Sequence, residues 1–263
     1  MTDIIHLSDL HFGQKKFPYD LDKLKDCLSS FLTKFEKPKI LITGDITFQA
    51  NPGGYKEATD FFKHFIEAKL VDKKDILSCP GNHDITKGIN PFSNYDKFAY
   101  SLRKDKLNSF SEKNHHILDV DDIQVVLLNS AYHTDHQYGL IDDSFFKEKN
   151  LDPDKFTVIA VHHHFVGQFK ADVSAIRNSY PALYCFDKLG VNLVVHGHQH
   201  CNQSLPIGKS GFNIFGVRSM GFLTDTYQNG INHICIKDNE SVVTSYHFSP
   251  DHDPNKITLV KAK

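Results

Sequence analysis

Lys39-Ile40-Leu41-Ile42-Thr43-Gly44-Asp45 is a short aliphatic run closed by a glycine and a carboxylate. Its length and β-branched content make it a buried strand, and Gly44 marks where it ends. Four other stretches have the same form. Asp3-Ile4-Ile5-His6-Leu7 leads into Asp9-Leu10-His11, and Ile76-Leu77-Ser78-Cys79 leads into Gly81-Asn82-His83-Asp84. Thr157-Val158-Ile159-Ala160-Val161 leads into His162-His163-His164, and Val191-Asn192-Leu193-Val194-Val195 into Gly197-His198-Gln199-His200. Every motif therefore sits at the C-terminal end of a strand, the edge where loops from parallel strands converge on ligand sites. Together the five offer more nitrogen and oxygen ligands than one metal ion uses.

Working outward, amphipathic helices separate these strands. Leu21, Leu24, Leu28, Phe31, Leu32 and Phe35 recur at helical spacing, as do Ala58, Phe61, Phe62, Phe65, Ile66 and Leu70. Weaker helical patterns cover 93–103, 144–149 and 181–189, and all these apolar faces read as core. After His200 the pattern changes to short strands over 212–217, 231–236, 242–248 and 257–260, broken by Lys209-Ser210-Gly211, Asn229-Gly230 and Asp238-Asn239. These strands imply a second sheet, joined by strand-like 117–120 and 124–128. The expected fold is α/β with mixed α+β character: a four-layer αββα sandwich of two mixed β-sheets flanked by helices. No repeat or linker interrupts it, so 1–263 reads as a single domain.

Composition agrees with an ordinary enzyme. Hydrophobic residues at 40% and charged residues at 24% are globular values. A formal charge of -2 gives no field to recruit polyanions, so nucleic acid is not favoured as a partner. No apolar run approaches the roughly 18 residues of a membrane span, so no membrane partner is expected and the chain reads as cytoplasmic. The five cysteines (Cys27, Cys79, Cys185, Cys201, Cys235) form no C-x-x-C pair and read as reduced buried thiols. Histidine stands apart: of 17, His11, His83, His162, His163, His164, His196, His198 and His200 fall in or beside the motifs.

Carboxylate oxygens with imidazole nitrogens and no thiolate suit manganese, iron or zinc, whereas calcium or magnesium would lean on oxygen alone. The inventory fits two ligand sets bridged by one carboxylate. Two divalent or trivalent ions about 3.5 to 4 Å apart lower the pKa of a shared water and clamp both oxygens of an in-line displacement at phosphorus.

The ordered set His6-Leu7-Ser8-Asp9-Leu10-His11-Phe12-Gly13, Thr43-Gly44-Asp45-Ile46-Thr47, Pro80-Gly81-Asn82-His83-Asp84 and His196-Gly197-His198-Gln199-His200 resembles the calcineurin-like metallophosphoesterases. The resemblance covers residues 4 to about 200. Its wording is most similar to the small bacterial cyclic-nucleotide phosphodiesterase branch, to which Leu127-Leu128-Asn129-Ser130 and Gly139-Leu140 add. The resemblance implies that Asp9, His11 and His200 hold one metal, that Asn82, His198 and a central histidine hold the other, and that Asp45 bridges. It implies that His83 stabilises the phosphoryl oxygens and protonates the leaving alkoxide, with Asp84 orienting it; a turn acid is the other reading of Asp84.

Such families show His-x-Pro after the fourth strand, and here the chain reads His162-His163-His164-Phe165. Aligning Phe165 with the proline makes His163 the ligand, with His162 the alternative. Asn129, Ser130, His133 and His136 read as a surface loop or cleft lining, Arg218 as a strand-end cation or phosphate contact, and His115, His116 and His252 as surface. The implied activity is a dinuclear metal-dependent phosphodiesterase acting on a small, cyclic nucleotide or related diester, with metal-activated hydroxide attacking phosphorus. A phosphomonoesterase is the close alternative, a nuclease is less favoured, and a non-catalytic scaffold is disfavoured because all expected ligand positions are filled.

Overall fold

The computed structural model describes residues 1–147, 151–208, 211–250 and 256–262. The five motif strands are present: β1 (Thr2–Leu7), β2 (Lys39–Thr43), β3 (Ile76–Cys79), β6 (Phe156–Val161) and β7 (Leu193–His196). All are buried along their length. Two-sided burial is what a parallel sheet covered on both faces requires, and it explains their unbroken aliphatic character. The remaining strands are β4 (His115–Val120), β5 (Ile123–Leu128), β8 (Gln203–Ile207), β9 (Phe212–Gly216), β10 (Gly230–Lys237), β11 (Glu240–Pro250) and β12 (Ile257–Lys261).

Two six-stranded mixed sheets result, ordered β12-β11-β10-β1-β2-β3 and β4-β5-β6-β7-β9-β8. Each has a parallel set: β1, β2 and β3 form one side of the first, and β5, β6, β7 and β9 run together in the second. The four-layer α/β sandwich is therefore present, but the strands are shared out differently from the expectation. The segments after His200 do not build a sheet of their own. β10 joins antiparallel to β1 and extends the first sheet, while β9 joins parallel to β7. Gln203–Ile207, not foreseen as a strand, closes the second sheet's edge, where Pro206 costs no central ladder bond.

Helices α1 (Leu21–Leu32), α2 (Pro52–Glu67) and α3 (Ser93–Arg103) cover the first sheet, and α4 (Ser179–Lys188) packs Ala182 and Phe186 on the second. α1 is capped by Asp20, whose carboxylate accepts from the amides of Asp22 and Lys23. α2 starts a turn and a half ahead of its apolar periodicity. Asn51 caps the amides of Gly53 and Gly54, Pro52 pre-sets the first helical φ, and a side chain at 54 would strike the Phe12 carbonyl. The pattern over 144–149 yields only a 3₁₀ turn, Phe145–Lys147; residues 148 and 149 lie outside the described residues, as do 209 and 210 of the expected turn. Among the described residues no helix is long and apolar enough to cross a membrane.

Strand alternation sorts the β6 side chains. Val158 and Ala160 enter the core between the sheets, and Ile159 and Val161 enter the core beneath α4. That division decides where the three histidines following Val161 point.

Candidate metal centre

The carboxyl ends of both parallel sets meet at one place. Backbone bonds knit the exits together: Asp9 N donates to Gly44 O at 3.1 Å, His11 N to Asp45 O at 3.0 Å and Gly197 N to His162 O at 3.1 Å. Gly197 allows the loop of the second sheet to lie on that of the first, since a Cβ there would sit 1.8 Å from Ser8 Oγ and 2.6 Å from Asp9 Oδ2. Five of the expected ligands, Asp9 (φ 52°), His11 (49°), Asp45 (51°), His198 (68°) and His200 (56°), stand in left-handed backbone. For a non-glycine residue that costs about 1–3 kcal/mol, and it persists only where surroundings over-determine it, as at binding sites.

Two groups of donor atoms are the outcome. In the first, His200 Nε2 is 3.1 Å and His11 Nε2 4.0 Å from Asp9 Oδ1, and His11 Nε2 is 3.9 Å from Asp45 Oδ2. In the second, His162 Nε2 lies 3.4 Å from that same Asp45 Oδ2, 3.0 Å from Asn82 Oδ1 and 3.1 Å from His198 Nδ1. Donors bound to one ion at about 2.1 Å stand roughly 3 to 4 Å apart, so both groups have the spacing of a ligand set. Both ring nitrogens of His11 are buried without a hydrogen-bond partner, which is costly unless something else engages them. The donors thus fit a pair of ions sharing Asp45.

Protonation follows from burial and mutual charge. Burial opposes ionisation of Asp9 and Asp45, but His200 beside the first and His162 beside the second outweigh it and hold both below the usual carboxylate range. Burial pushes His11 down to about 4 and, with His162 alongside, His198 down to about 3, so both are neutral donors at neutral pH. His162 goes the other way: burial is overcome by Asp45, and the ring is raised to about 9. Its Nδ1 donates to the Thr43 carbonyl at 2.8 Å, which leaves Nε2 as the nitrogen turned to the cluster.

Residues 2–202 match the calcineurin-like phosphoesterase family. The chain belongs to that family. As a calcineurin-like phosphoesterase it is a metal-dependent phosphoester hydrolase of the α/β class. Its fold is similar to a dimetal phosphatase from Danio rerio, with a TM-score of 0.70, 12% identity, and coverage of 100% of this chain and 99% of that one. It is also similar to the purple acid phosphatase PPD1 from yellow lupin seeds, with a TM-score of 0.67 and 13% identity, covering 99% of this chain and 53% of the lupin protein. No curated protein matches the chain significantly.

Within this calcineurin-like site, Asp9, His11, Asp45, Asn82, His198 and His200 stand in the two donor groups. Of the three central histidines, the one whose Nε2 meets Asp45 and Asn82 is His162. His162 continues the face of Val158 and Ala160 and points between the sheets at Asp45. His163 continues the face of Ile159 and Val161, its Nδ1 meets Ser130 Oγ at 2.7 Å, and its Nε2 has no hydrogen-bond partner. One ring nitrogen each of His162, His163 and His198 lie within 4.8 Å of one another, so His163 borders the second donor group. His164 turns away to Asp172, with Nε2 at 2.5 Å from Oδ2.

His83 flanks the first group. Its ring centroid is 5.1 Å from that of His11 and its amide donates to Asp45 Oδ1 at 2.8 Å. Asp84 does not reach the His83 ring through its carboxylate contacts. Its oxygens accept from the amides of Ile46, Thr47 and Gly81 and from the Tyr55 hydroxyl at 2.9 Å, so it braces the two loops that carry Asp45 and Asn82. Burial, with Asp45 near, raises Asp84 to about 7.

The weaker candidates scatter. Asn129 accepts from the Ala131 amide, Ser130 serves His163, His133 packs at a tilt against Tyr138 and His136 is exposed. Arg218 donates to the Gln228 carbonyl rather than to the donor groups. The Cys201 thiol donates to Gln168 Oε1. His116 meets Ser109 O at 2.5 Å and His115 packs on Phe145, so neither is a plain surface residue; His252 lies outside the described residues.

Sequence reasoning missed three features. The loop after β9 seals the centre from beneath: Ser219 Oγ donates to Asp9 O at 2.8 Å, Met220 N to Ser8 O and Gly221 N to Asp9 O, both at 3.0 Å. Tyr55 holds Asp84 from α2. Phe48 and Phe222 stand against the site's imidazoles. Of these, only Gly221, in a Ser-Met-Gly turn after a strand, carried a sequence signal.

Proposed function

We propose that this chain is a dinuclear phosphodiesterase acting on a small diester, with a cyclic nucleotide as the favoured substrate class, and that residues 1–263 work as one catalytic domain. The observation that carries it is the sharing of Asp45 Oδ2 between two donor groups. Asp9, His11, Asp45 and His200 would hold one ion; Asp45, Asn82, His162 and His198 the other. His162 replaces His163 in the set because its Nε2, and not that of His163, meets Asp45 and Asn82. Nitrogen and oxygen donors with no thiolate suit manganese, iron or zinc. When bound, such ions supply charge for the phosphoryl oxygens and a strong oxygen nucleophile at neutral pH.

The protein's own groups do the rest. The half-buried His83 imidazole, held beside the first group through its amide bond to Asp45, donates to a phosphoryl oxygen and protonates the departing alkoxide. Asp84 acts through the loop backbone and keeps Asp45 and Asn82 in register. The rings against His11, His83 and His200 are phenylalanines. Apolar walls suit a singly charged diester with two organic arms better than a doubly charged monoester.

The test is hydrolysis of bis(p-nitrophenyl) phosphate beside p-nitrophenyl phosphate by stripped protein given manganese, iron or zinc. Diester preference, abolished in Asp45→Asn, is expected. A monoester preference would make the protein a phosphomonoesterase instead, and cleavage of neither with any metal would refute the enzymatic assignment of these residues.

A further inference from the structure

Phe48 and Phe222 are half-buried rather than sunk in the core, and each lies against the His11 ring. The Phe222 ring is 5.2 Å from that of His11 and 5.1 Å from that of His200. Phe48 stacks on His83 at 5.8 Å with an interplanar angle of 21°, and stands 6.3 Å from His11. Neither placement is loose. The Phe48 amide donates to the Phe12 carbonyl at 2.9 Å, so Phe48 is pinned one residue beyond His11. Phe222 is pinned at both ends: its own amide donates to Ser219 Oγ at 2.8 Å, and the preceding Gly221 amide donates to Asp9 O. Gly221 is required for that approach, because a Cβ there would lie 1.8 Å from the Leu10 carbonyl.

A phenylalanine that only filled space around the donors would be buried like Phe12 or Phe61. These two keep part of their surface open, beside histidines that face the reacting group, and the next residue, Leu223, is 62% exposed. Two rigid, partly open aromatic rings flanking a phosphate site form a stacking platform for a flat π-system. We infer that Phe48 and Phe222 bind a planar aromatic group of the substrate, a nucleobase or an aryl ring, and so determine which phosphoesters this centre takes. The inference rests on the phosphoester-hydrolase reading for the position of the anion, and it stands apart from whether diesters or monoesters are cleaved.

Binding of uncleavable phosphonates to the metal-loaded protein, followed by calorimetry, tests it without turnover. The pairs are the phosphonate analogues of adenosine monophosphate and ribose phosphate, and benzyl phosphonate beside cyclohexylmethyl phosphonate. A stacked ring should favour the adenosine and benzyl members roughly tenfold over their partners, the magnitude of base–aromatic stacking. Phe222→Leu keeps volume and apolarity while removing the π-face, and should bring both ratios towards unity with the ribose compound binding as before; Phe48→Leu should do the same more weakly. A tenfold preference for adenosine but not benzyl would name the base as the ligand, and preference for both would name any flat ring. Equal affinities within both pairs would overturn the inference. So would variants that weaken all four ligands alike, since that is what a structural role predicts. Failure of ester hydrolysis with intact phosphonate selectivity would refute the proposed activity and leave the ring site in place.

Discussion

Replacing His162 and His163 singly by alanine separates a metal donor from a packing residue that is its neighbour in the chain. His162 presents Nε2 to Asp45, Asn82 and His198 within 3.4 Å and fixes the ring by a bond from Nδ1 to Thr43 O. Changing a residue that merely supports a metal ligand costs 10–100-fold in metal affinity, so loss of a direct donor should cost about 100-fold or more. His162→Ala should therefore retain one ion per chain, with diester hydrolysis near background. His163→Ala loses one bond, Nδ1 to Ser130 Oγ, and leaves a cavity at a fully buried position packed on Gly139. One buried hydrogen bond at about 1 kcal/mol and a partial cavity give a loss of about 2–3 kcal/mol. In a chain of this size that is a fall of roughly 5–10 °C in melting temperature. Metal content by elemental analysis, melting by calorimetry and rate on bis(p-nitrophenyl) phosphate are the readouts. If His163→Ala lost the ion while His162→Ala kept it and melted low, the side-chain assignment, and the strand-alternation argument beneath it, would be wrong.

Asp84→Ala strands the amides of Ile46, Thr47 and Gly81 and the Tyr55 hydroxyl, about 4 kcal/mol at roughly 1 kcal/mol each, and should lower melting by about 10 °C or more. Because it acts through the loops, the pH profile of the residual activity should keep the wild-type shape; a lost limb would restore a direct role on His83. Lys39 is buried and bridges Asp75 and Asp121 at 3.0 Å, far from the centre on the opposite edge of β2. Lys39→Met should destabilise by about 2 kcal/mol in denaturant titration with metal content unchanged, and an effect on metal binding would contradict that separation. In the metal-free protein His162, raised from 6.5 to about 9, contributes stability that is complete below pH 6.5 and is lost as pH rises towards 9. Metal displaces that proton, so affinity should climb over the same window with proton uptake by the buffer, visible by calorimetry in two buffers of different ionisation enthalpy. Affinity that falls with pH would exclude His162 as a donor.

Much of this was legible because a buried parallel strand is an unbroken aliphatic run and its exit must carry whatever the site needs. Asp9, His11, Asp45, Asn82, His198 and His200 stand at such exits, and their side chains meet in the two donor groups. The histidine run leaves His162 and His163 as alternatives on sequence alone; Val158, Ala160 and His162 share a strand face, and that face carries His162 Nε2 to Asp45 and Asn82. The division into sheets was hidden for a different reason. Short strands after His200 announce strands but not partners, and β10 finds β1 across more than 220 residues of chain. Asp84 carried an acid's signature without its address, since only the folded loops show that its oxygens are filled by backbone amides. The loop Ser219–Phe222 bears no donor side chain for a metal, so nothing in its composition ties it to Asp9.

In the proposed centre one carboxylate, Asp45, serves two ions. Crystals of the protein loaded with manganese or zinc, measured at the metal's absorption edge, test this directly. Two anomalous peaks about 3.5 to 4 Å apart with Asp45 Oδ2 between them, and His162 on the second, are predicted. A single peak, or a second ion held through His163 without Asp45, would contradict it.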